Sequence, residues 1–357
     1  MAGGSVAGRE GRPDPRKPGV TNAAVRLVTV DEGGEGQRLD NFLLRELKGV
    51  PKTHVYRVIR AGEVRVNKGR AQADTRLNLG DVVRIPPVRM AEKPDSSAVP
   101  PREFPILFED EHLLVVDKPA GVAVHGGSGV SFGVIEQLRR ARPEAKFLEL
   151  VHRLDKETSG VLVLAKRRSA LTHLQDQFRG RETGKTYAAL VWGEWPEKLK
   201  VIDQALLKTL DAQGERQVRV VSSEHEAAKR SITLVKVVQR LQEPPVSPCG
   251  SPPPEGARPA RGGPSQGRIW ASLLDVTIKT GRTHQIRVHL ASNGHAIVGD
   301  PKYGDFAKNR ELARGPKRFE RMYLHARRLL FVHPATGESL VCEAALPAEC
   351  QAVLVNA

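Results

Sequence analysis

Cysteine is scarce in this chain of 357 residues. Cys249, Cys342 and Cys350 are the three cysteines, and no two of them form a Cys-x-x-Cys pair. This number and spacing exclude a disulfide framework and a zinc ribbon, and they predict a reducing, cytoplasmic location. Long apolar runs are also missing, because no stretch approaches the ~18 consecutive apolar residues of a membrane span. The N-terminal segment lacks the apolar stretch that a signal peptide contains. Residues 1–24 are therefore predicted to be a disordered basic tail.

Acidic side chains are outnumbered by basic ones. The chain contains 56 Lys and Arg residues and 41 Asp and Glu residues, which gives a formal net charge of +15. In a chain without a membrane-span pattern, an excess of this size is typical of a protein that binds a polyanion, although a merely soluble basic protein is the alternative. The excess is concentrated between Gly36 and Met90, which hold 12 basic and 5 acidic residues.

The segment 25–90 is predicted to be a small basic domain. Apolar residues at helical spacing predict a helix over Leu39–Leu47, and Pro51 is suited to the start of a second helix. Alternating residues predict short strands at 64–67 and 82–85. Its outward basic residues can form one cationic face, and these are Lys52, Arg57, Arg60, Arg65 and Lys68.

The sequence of this segment resembles that of a known domain. RLDNFLLRELKGVPKTHVYRVIRAGEVRVNKGR, from Arg38 to Arg70, is similar to an S4 RNA-binding domain, including its helix–Gly–x–Val–x–Val–Asn core. The resemblance implies contact between RNA and the five basic residues, but by itself it implies no reaction.

A second, larger domain is predicted from residue 104 to the C-terminus. Residues 91–103, with several prolines and no apolar period, are expected to be a linker. Short apolar runs with few helices predict an α+β fold around a mixed, largely antiparallel sheet. The Pro/Gly-dense stretch 243–267 cannot bury a core and is expected to be a disordered insertion.

The segment ELVHRLDKETSGVLVLAK, from Glu149 to Lys166, places an acid between a strand and a polar turn. Asp155 has Arg153 and Lys156 beside it, and these cations favour the ionised carboxylate. From the residues alone, two interpretations remain open. Asp155 is either a reacting carboxylate or an Asp that only stabilises its own turn through backbone hydrogen bonds.

HRLDKETSG is similar to the signature of the RluA-type pseudouridine synthases. Three more segments match that family in order: DKPAG at 117–121, GKTY at 184–187, and GRTHQIRVHL at 281–290 followed by VGDPKYG at 298–304. With the S4-like segment ahead of them, they most resemble the RluC branch, which modifies large-subunit (23S) ribosomal RNA. The resemblance covers nearly all of the chain from Gly36 onward, except the insertion.

This resemblance implies a mechanism and a set of roles. Asp155 would attack C1′ of uridine or remove a sugar proton, and Tyr187 would stack on the base and help to accept the C5 proton. Arg282 would pair with Asp155, and Arg153 would contact RNA. The reaction implies no cofactor and no metal, with 23S ribosomal RNA as the partner and a monomer as the expected state.

The sequence also leaves three alternative functions open. They are a synthase acting on transfer RNA, a non-catalytic RNA-binding assembly factor, and a nuclease using Asp155. GRETGKT at 180–186 is one residue short of a P-loop and precedes a strand-like run, which argues against nucleotide hydrolysis. His284, His289 and His295 lack metal-ligand spacing, so they are expected on a helix surface or facing RNA.

Overall fold

The computed structural model describes residues 24–47, 49–88, 99–127, 130–210, 216–242 and 268–355. The chain divides into two compact units, Met1–Ala98 and Val99–Ala357. The expectations for the tail 1–24 and for the insertion 243–267 fall outside the described residues, apart from residue 24. Most of the expected linker 91–103 falls outside them as well.

The first unit contains two helices on a small sheet. Helix α1 spans Leu39–Glu46 and α2 spans Lys52–Arg60, with Pro51 preceding its first residue. Proline suits this place because the first amide groups of a helix have no intrahelical acceptor. The first predicted helix is therefore confirmed to within a residue at each end, and the second begins directly after Pro51 as predicted.

The sheet of this unit has the strand order β1-β4-β2-β3. Its strands are β1 (Arg26–Thr29), β2 (Arg65–Val66), β3 (Gly69–Arg70) and β4 (Val82–Ile85). The two helices pack on one face of the sheet through a common apolar core, which includes Phe42, Val55, Ile59, Val83 and Ile85.

The second unit is built on one eleven-stranded sheet, with the path β11-β10-β12-β13-β9-β14-β8-β6-β5; β15 pairs with β14 and β7 with β8. The strands are β5 (Ile106–Glu109), β6 (Leu113–Lys118), β7 (Glu149–Leu150), β8 (Ser159–Ala165), β9 (Gly184–Trp192), β10 (Val201–Leu210), β11 (Arg216–Val221), β12 (Lys229–Gln242), β13 (Ile269–Ile278), β14 (Leu324–Val332) and β15 (Ser339–Glu343). The pairing of β14 with β8 is parallel, whereas the other described pairings in this sheet are antiparallel. The predicted α+β class with a largely antiparallel sheet is confirmed.

Five helices accompany this sheet. They are α3 (Val134–Ala141), α4 (Arg168–Gly180), α5 (Gln285–Ser292), α6 (Phe306–Arg314) and α7 (Ala348–Val355). None of the helices in the described ranges combines the length and the apolar character that a membrane span requires.

Strand β8 lies between two apolar cores. Because successive side chains of a strand point to opposite faces, Val161 and Val163 enter one core while Leu162 and Leu164 enter the other. All seven residues of β8 are buried. The strand therefore gives a rigid attachment to the loop 151–158, which precedes it.

Candidate active site

A cavity of about 140 Å³ lies where the loop before β8 meets β9 and the start of α5. Its lining is formed by Arg153, Leu154, Asp155, Thr158, Tyr187, Ile278, Gly281, Arg282, Thr283, His284, Gln285, Ile286, Arg287 and Leu324. The structure thus brings Asp155, Tyr187, Arg282 and Arg153 to one cavity, although they come from three separate sequence motifs.

Asp155 lies in the loop between β7 and β8. The Thr158 amide donates to the Asp155 carbonyl at 3.1 Å, which closes a tight turn. The side chain of Asp155 is 24% exposed, and one guanidinium nitrogen of Arg287 lies 3.4 Å from its Oδ2 atom. A partly exposed carboxylate next to a cation is suited to reaction with a bound substrate.

The cation beside Asp155 is Arg287, not the expected Arg282. Arg287 is the third residue of α5, and it donates to both carboxylate oxygens of Asp300 at 2.7 Å. Arg282 precedes the helix and lines the cavity, and among the described residues it forms neither a hydrogen bond nor an ion pair with Asp155. The predicted Arg282–Asp155 pair is therefore corrected to an Arg287–Asp155 pair.

Asp300 fixes the orientation of Arg287. Burial alone would raise the pKa of Asp300, but the Arg287 guanidinium and the Lys302 and Tyr303 amides outweigh it and hold that pKa below its ordinary value. A bidentate pair of this kind sets the plane of the guanidinium. One end of Arg287 is thus fixed on Asp300, and the other end faces Asp155.

Tyr187 lies on β9 opposite Val276 of β13, and its ring packs against two apolar cores. Burial, with a contribution from the charge of Asp155, raises the pKa of Tyr187 well above its ordinary value. The phenol therefore stays protonated. It can offer a ring face and a hydrogen-bond donor, but it is poorly suited to the direct acceptance of the C5 proton.

Lys118, in the DKPAG segment, stabilises the loop that carries Asp155. Its side chain is buried, and its Nζ donates to the carbonyls of Pro119, Val122 and Lys156 at 2.8, 2.7 and 3.1 Å. Burial lowers the pKa of Lys118 to about 7. The bond to Lys156 ties the end of β6 to the residue that follows Asp155. Sequence reasoning missed this role, although the DKPAG motif signalled its position.

His152 supports the same loop from its other end. The Val163 amide donates to its Nε2 at 3.1 Å, and its ring stacks on Phe178 with 4.9 Å between the ring centroids. Burial lowers the pKa of His152 to about 4, which keeps the ring neutral and able to accept this bond. His152 therefore holds the loop and does not enter the cavity.

The three histidines of the last motif lie in different environments. His284 lines the cavity, His295 is partly buried beside Trp195, and His289 is fully buried against Thr233. The expected helix-surface or RNA-facing position is therefore wrong for His289. Within the described ranges, no group of three or more His, Cys, Asp or Glu side chains is placed to hold a metal ion.

The first unit presents its basic residues on α2 and on the strands that follow. Arg57 and Arg60 are exposed and lie on the side of α2 opposite its buried residues, while Lys52 and Lys68 are exposed and Arg65 is partly buried. Arg60 also lines a groove of about 640 Å³ that the sequence did not indicate. Its walls include Arg38, Tyr56, Arg70, Gln72 and Asp74.

The fold and the cavity define an RNA-modifying enzyme. A family model described as RNA pseudouridylate synthase matches residues 112–292, and a model of the S4 domain matches residues 37–83. The chain belongs to the RNA pseudouridylate synthase family, which confirms the resemblances stated from the sequence.

Individual relatives are similar over nearly the whole chain. Ribosomal large subunit pseudouridine synthase C of Haemophilus influenzae is 46% identical over 94% of this chain and 96% of its own. The protein of that name from Escherichia coli K12 is 45% identical over 90% of this chain and 93% of its own. A solved structure, human RNA pseudouridylate synthase domain containing 4, has a TM-score of 0.50 at 26% identity and covers 70% of this chain and 91% of that chain.

Proposed function

We propose that this chain isomerises specific uridines to pseudouridine in large-subunit (23S) ribosomal RNA, with Asp155 as the reacting carboxylate and without a cofactor. The observation that carries the proposal is the cavity in which Asp155, backed by Arg287, faces the ring of Tyr187. The names of the two bacterial relatives support the choice of RNA.

The reaction sets the chemical requirements. The N1–C1′ bond of uridine breaks, a C5–C1′ bond forms, and the proton on C5 is transferred to N1 or to solvent. Because the base is rearranged without gain or loss of heavy atoms or electrons, the reaction needs no redox group. It needs a carboxylate at the sugar, a surface for the detached base, and cations that hold the nucleotide.

Each requirement corresponds to a side chain of the cavity. Asp155 supplies the carboxylate, and Tyr187 supplies a ring face on which the base can stack. Arg153 is exposed at the cavity and can hold a phosphate of the flipped nucleotide. Extrusion of a base costs a few kcal/mol, and stacking and phosphate contacts offset this cost. Since the Tyr187 phenol stays protonated, we assign acceptance of the C5 proton to Asp155 or to a water molecule that it binds.

Two routes use such a carboxylate, namely attack at C1′ and removal of the proton at C2′. Ribosomal RNA deuterated at C2′ of uridine distinguishes them. Removal of the C2′ proton predicts a primary isotope effect on the single-turnover rate, whereas attack at C1′ predicts none of that size.

The experiment that tests the function is tritium release from RNA labelled at C5 of uridine. We expect release from 23S ribosomal RNA fragments without strand cleavage, and loss of that release in Asp155→Asn while RNA binding is retained. Asp176→Asn, at an exposed acid of α4, is the control and should remain active. No release from any ribosomal fragment would contradict the proposed reaction. Release from transfer RNA alone would contradict the proposed substrate.

The proposal also covers location and assembly. The side chains that the proposed reaction uses lie together within one chain, which supports our proposal of a monomer. We propose a cytoplasmic location because ribosomal RNA is the substrate named for the bacterial relatives.

A further inference from the structure

His284 connects the cavity to strand β11. Its backbone has a positive φ of 52°, and its side chain is 16% exposed. The Nδ1 atom lies 2.8 Å from the hydroxyl oxygen of Tyr303, and the Nε2 atom lies 3.9 Å from Oδ2 of Asp155. The two ring nitrogens therefore face different groups, one structural and one in the cavity.

The hydrogen-bond pattern around Tyr303 favours one tautomer of His284. The Val218 amide on β11 donates to the Tyr303 hydroxyl at 3.2 Å, so that oxygen already serves as an acceptor. The Tyr303 hydroxyl is then free to donate its own proton to Nδ1 of His284. A neutral imidazole that accepts at Nδ1 carries its hydrogen on Nε2. Nε2 is the ring nitrogen that lies 3.9 Å from Oδ2 of Asp155.

The charges around His284 favour the neutral ring. Burial lowers the pKa of His284, the carboxylates of Asp155 and Asp300 oppose this effect, and the cations Arg287 and Lys302 add to it; the net pKa lies below its ordinary value. At neutral pH His284 thus offers a donor without adding a charge to the cavity.

The two donors near Asp155 face the same oxygen. Arg287 and His284 both approach Oδ2, at 3.4 and 3.9 Å. These distances exceed those of good hydrogen bonds, and catalytic contacts of this kind commonly shorten when the substrate binds. Both donors lie on the Oδ2 side of the carboxylate, so Oδ1 is the oxygen that a sugar can approach without displacing them.

We propose that His284 is a positioning residue for Asp155, with its tautomer fixed by Tyr303. The chain of donors runs from the Val218 amide through the Tyr303 hydroxyl and the His284 ring to Oδ2 of Asp155. This inference rests on the proposed role of Asp155. It assigns His284 and Tyr303 a part in the rate of the reaction and none in the affinity for RNA.

The test compares His284→Leu with His284→Gln, because the two replacements are similar in size and have the same backbone strain. Gln can place an amide N–H near the Nε2 position, whereas Leu cannot donate. Loss of a hydrogen bond to a charged group corresponds to about a 10- to 100-fold loss of rate. We expect a loss of that size in single-turnover rate for His284→Leu, partial recovery for His284→Gln, and unchanged RNA affinity in both.

Tyr303→Phe removes the hydroxyl but keeps the ring over which the Arg287 guanidinium lies, at 5.1 Å from the centroid. We expect it to lower the rate about 3- to 10-fold. In the double variant with His284→Leu, the Tyr303→Phe replacement should not lower the rate any further, because the hydroxyl acts through His284. A purely structural role for Tyr303 would instead make the two losses multiply, and that result would overturn the inference.

Two further measurements complete the test. Thermal unfolding of each variant identifies a rate loss that comes from misfolding, and Tyr303→Phe, which is nearly isosteric, keeps the test valid if His284→Leu is unstable. Asp155→Asn is measured beside them. If it is inactive while His284→Leu keeps the full rate, the positioning role is wrong and the role of Asp155 stands. If Asp155→Asn stays active, both are overturned.

Discussion

Arg287 combines two tasks in one side chain. It neutralises the buried carboxylate of Asp300 and at the same time lies beside the partly exposed carboxylate of Asp155. A lysine would keep the charge at this position, but it lacks the planar fork that bonds Asp300 through two nitrogens. The geometry of the cation should therefore matter as well as its charge.

We expect Arg287→Lys to lower the single-turnover rate about 100-fold and the free energy of unfolding by about 2 kcal/mol, because one bond to a buried carboxylate is lost. Tritium release and urea unfolding measure the two effects. Arg282→Lys is the matched control and should unfold like the wild type. A greater loss of rate in Arg282→Lys than in Arg287→Lys would restore the pairing expected from the sequence.

At the scale of elements, the contact of β8 with β14 depends on one glycine. Gly160 has a φ of +108°, and a Cβ atom added there would lie 2.3 Å from the carbonyl oxygen of Ala326 on β14. Since β8 leads directly from the loop of Asp155, the parallel pairing of these strands fixes where that loop is anchored.

We expect Gly160→Ala to lower the free energy of unfolding by about 3 kcal/mol or more, because backbone strain and a steric clash add together. Gly121→Ala is the control. Gly121 has a similar positive φ of 79°, but an added methyl group would enter open space there, so only about 1 kcal/mol should be lost. Urea unfolding measures both variants. Equal losses would show that the close approach to β14 contributes nothing beyond the strain of a positive φ.

Helix α5 is buried on nearly every side, which gives His289 an unusual setting. The Gln285 side chain donates to Oγ1 of Thr233, so the Thr233 hydroxyl is directed to Nδ1 of His289. The Nε2 atom of His289 is buried, and within the described residues it makes no hydrogen bond of good geometry; a weak interaction with the backbone of Gln204 opposes the effect of burial only in part. Burial lowers the pKa of His289 to about 4.

This shift predicts a pH dependence of stability. Below the ordinary pKa of about 6.5, the unfolded chain binds a proton at this histidine that the folded chain does not. The contribution of His289 to stability is therefore complete above pH 6.5 and is lost as the pH falls towards 4, by about 1.4 kcal/mol per pH unit.

His289→Asn keeps an acceptor for Thr233 and cannot titrate, so the free energy of unfolding of the wild type relative to this variant should fall by about 2 kcal/mol between pH 6.5 and pH 5. Urea unfolding at the two pH values gives this difference. His225→Asn, at an exposed histidine between β11 and β12, is the control and should change nothing. A pH-independent difference would mean that His289 binds its proton equally well in the folded and the unfolded chain, and would contradict the effect of burial.

At the scale of the whole molecule, local patterns predicted the elements well and non-local contacts poorly. The helix after Pro51 and the strand Val82–Ile85 depend on neighbouring residues, and both were predicted from the sequence. The sequence motifs also singled out Asp155 and Tyr187, and both residues line one cavity. The choice between Arg282 and Arg287 depends on where α5 begins, and a motif that contains both residues does not indicate it.

Burial of His289 could not be predicted for a similar reason. Its partner Thr233 lies 56 residues away on β12, and the helix has no polar face to reveal which side is covered. The same holds for Lys118, whose three acceptors include the carbonyl of Lys156 in a different motif. Sequence therefore indicated which segments form the site, while the partners within it follow from the packing of the sheet.

The chain divides into two units, of which the first holds the S4 domain and the second holds the cavity. If the basic face of the first unit anchors the RNA, its cations release counterions when the complex forms, and affinity should depend steeply on salt. These cations are Lys52, Arg57, Arg60, Arg65 and Lys68.

Replacement of all five by Gln should weaken RNA binding at low salt and reduce the slope of log affinity against log salt by about 4. The single-turnover rate at saturating RNA should stay near that of the wild type, because none of the five lines the cavity. Filter binding at several salt concentrations measures the slope. A charge-matched control replaces five exposed cations of the second unit, namely Arg140, Arg179, Arg181, Lys198 and Lys208. If the two sets reduce the slope equally, the S4 domain is not the electrostatic anchor, and the RNA is held by the charge of the whole chain.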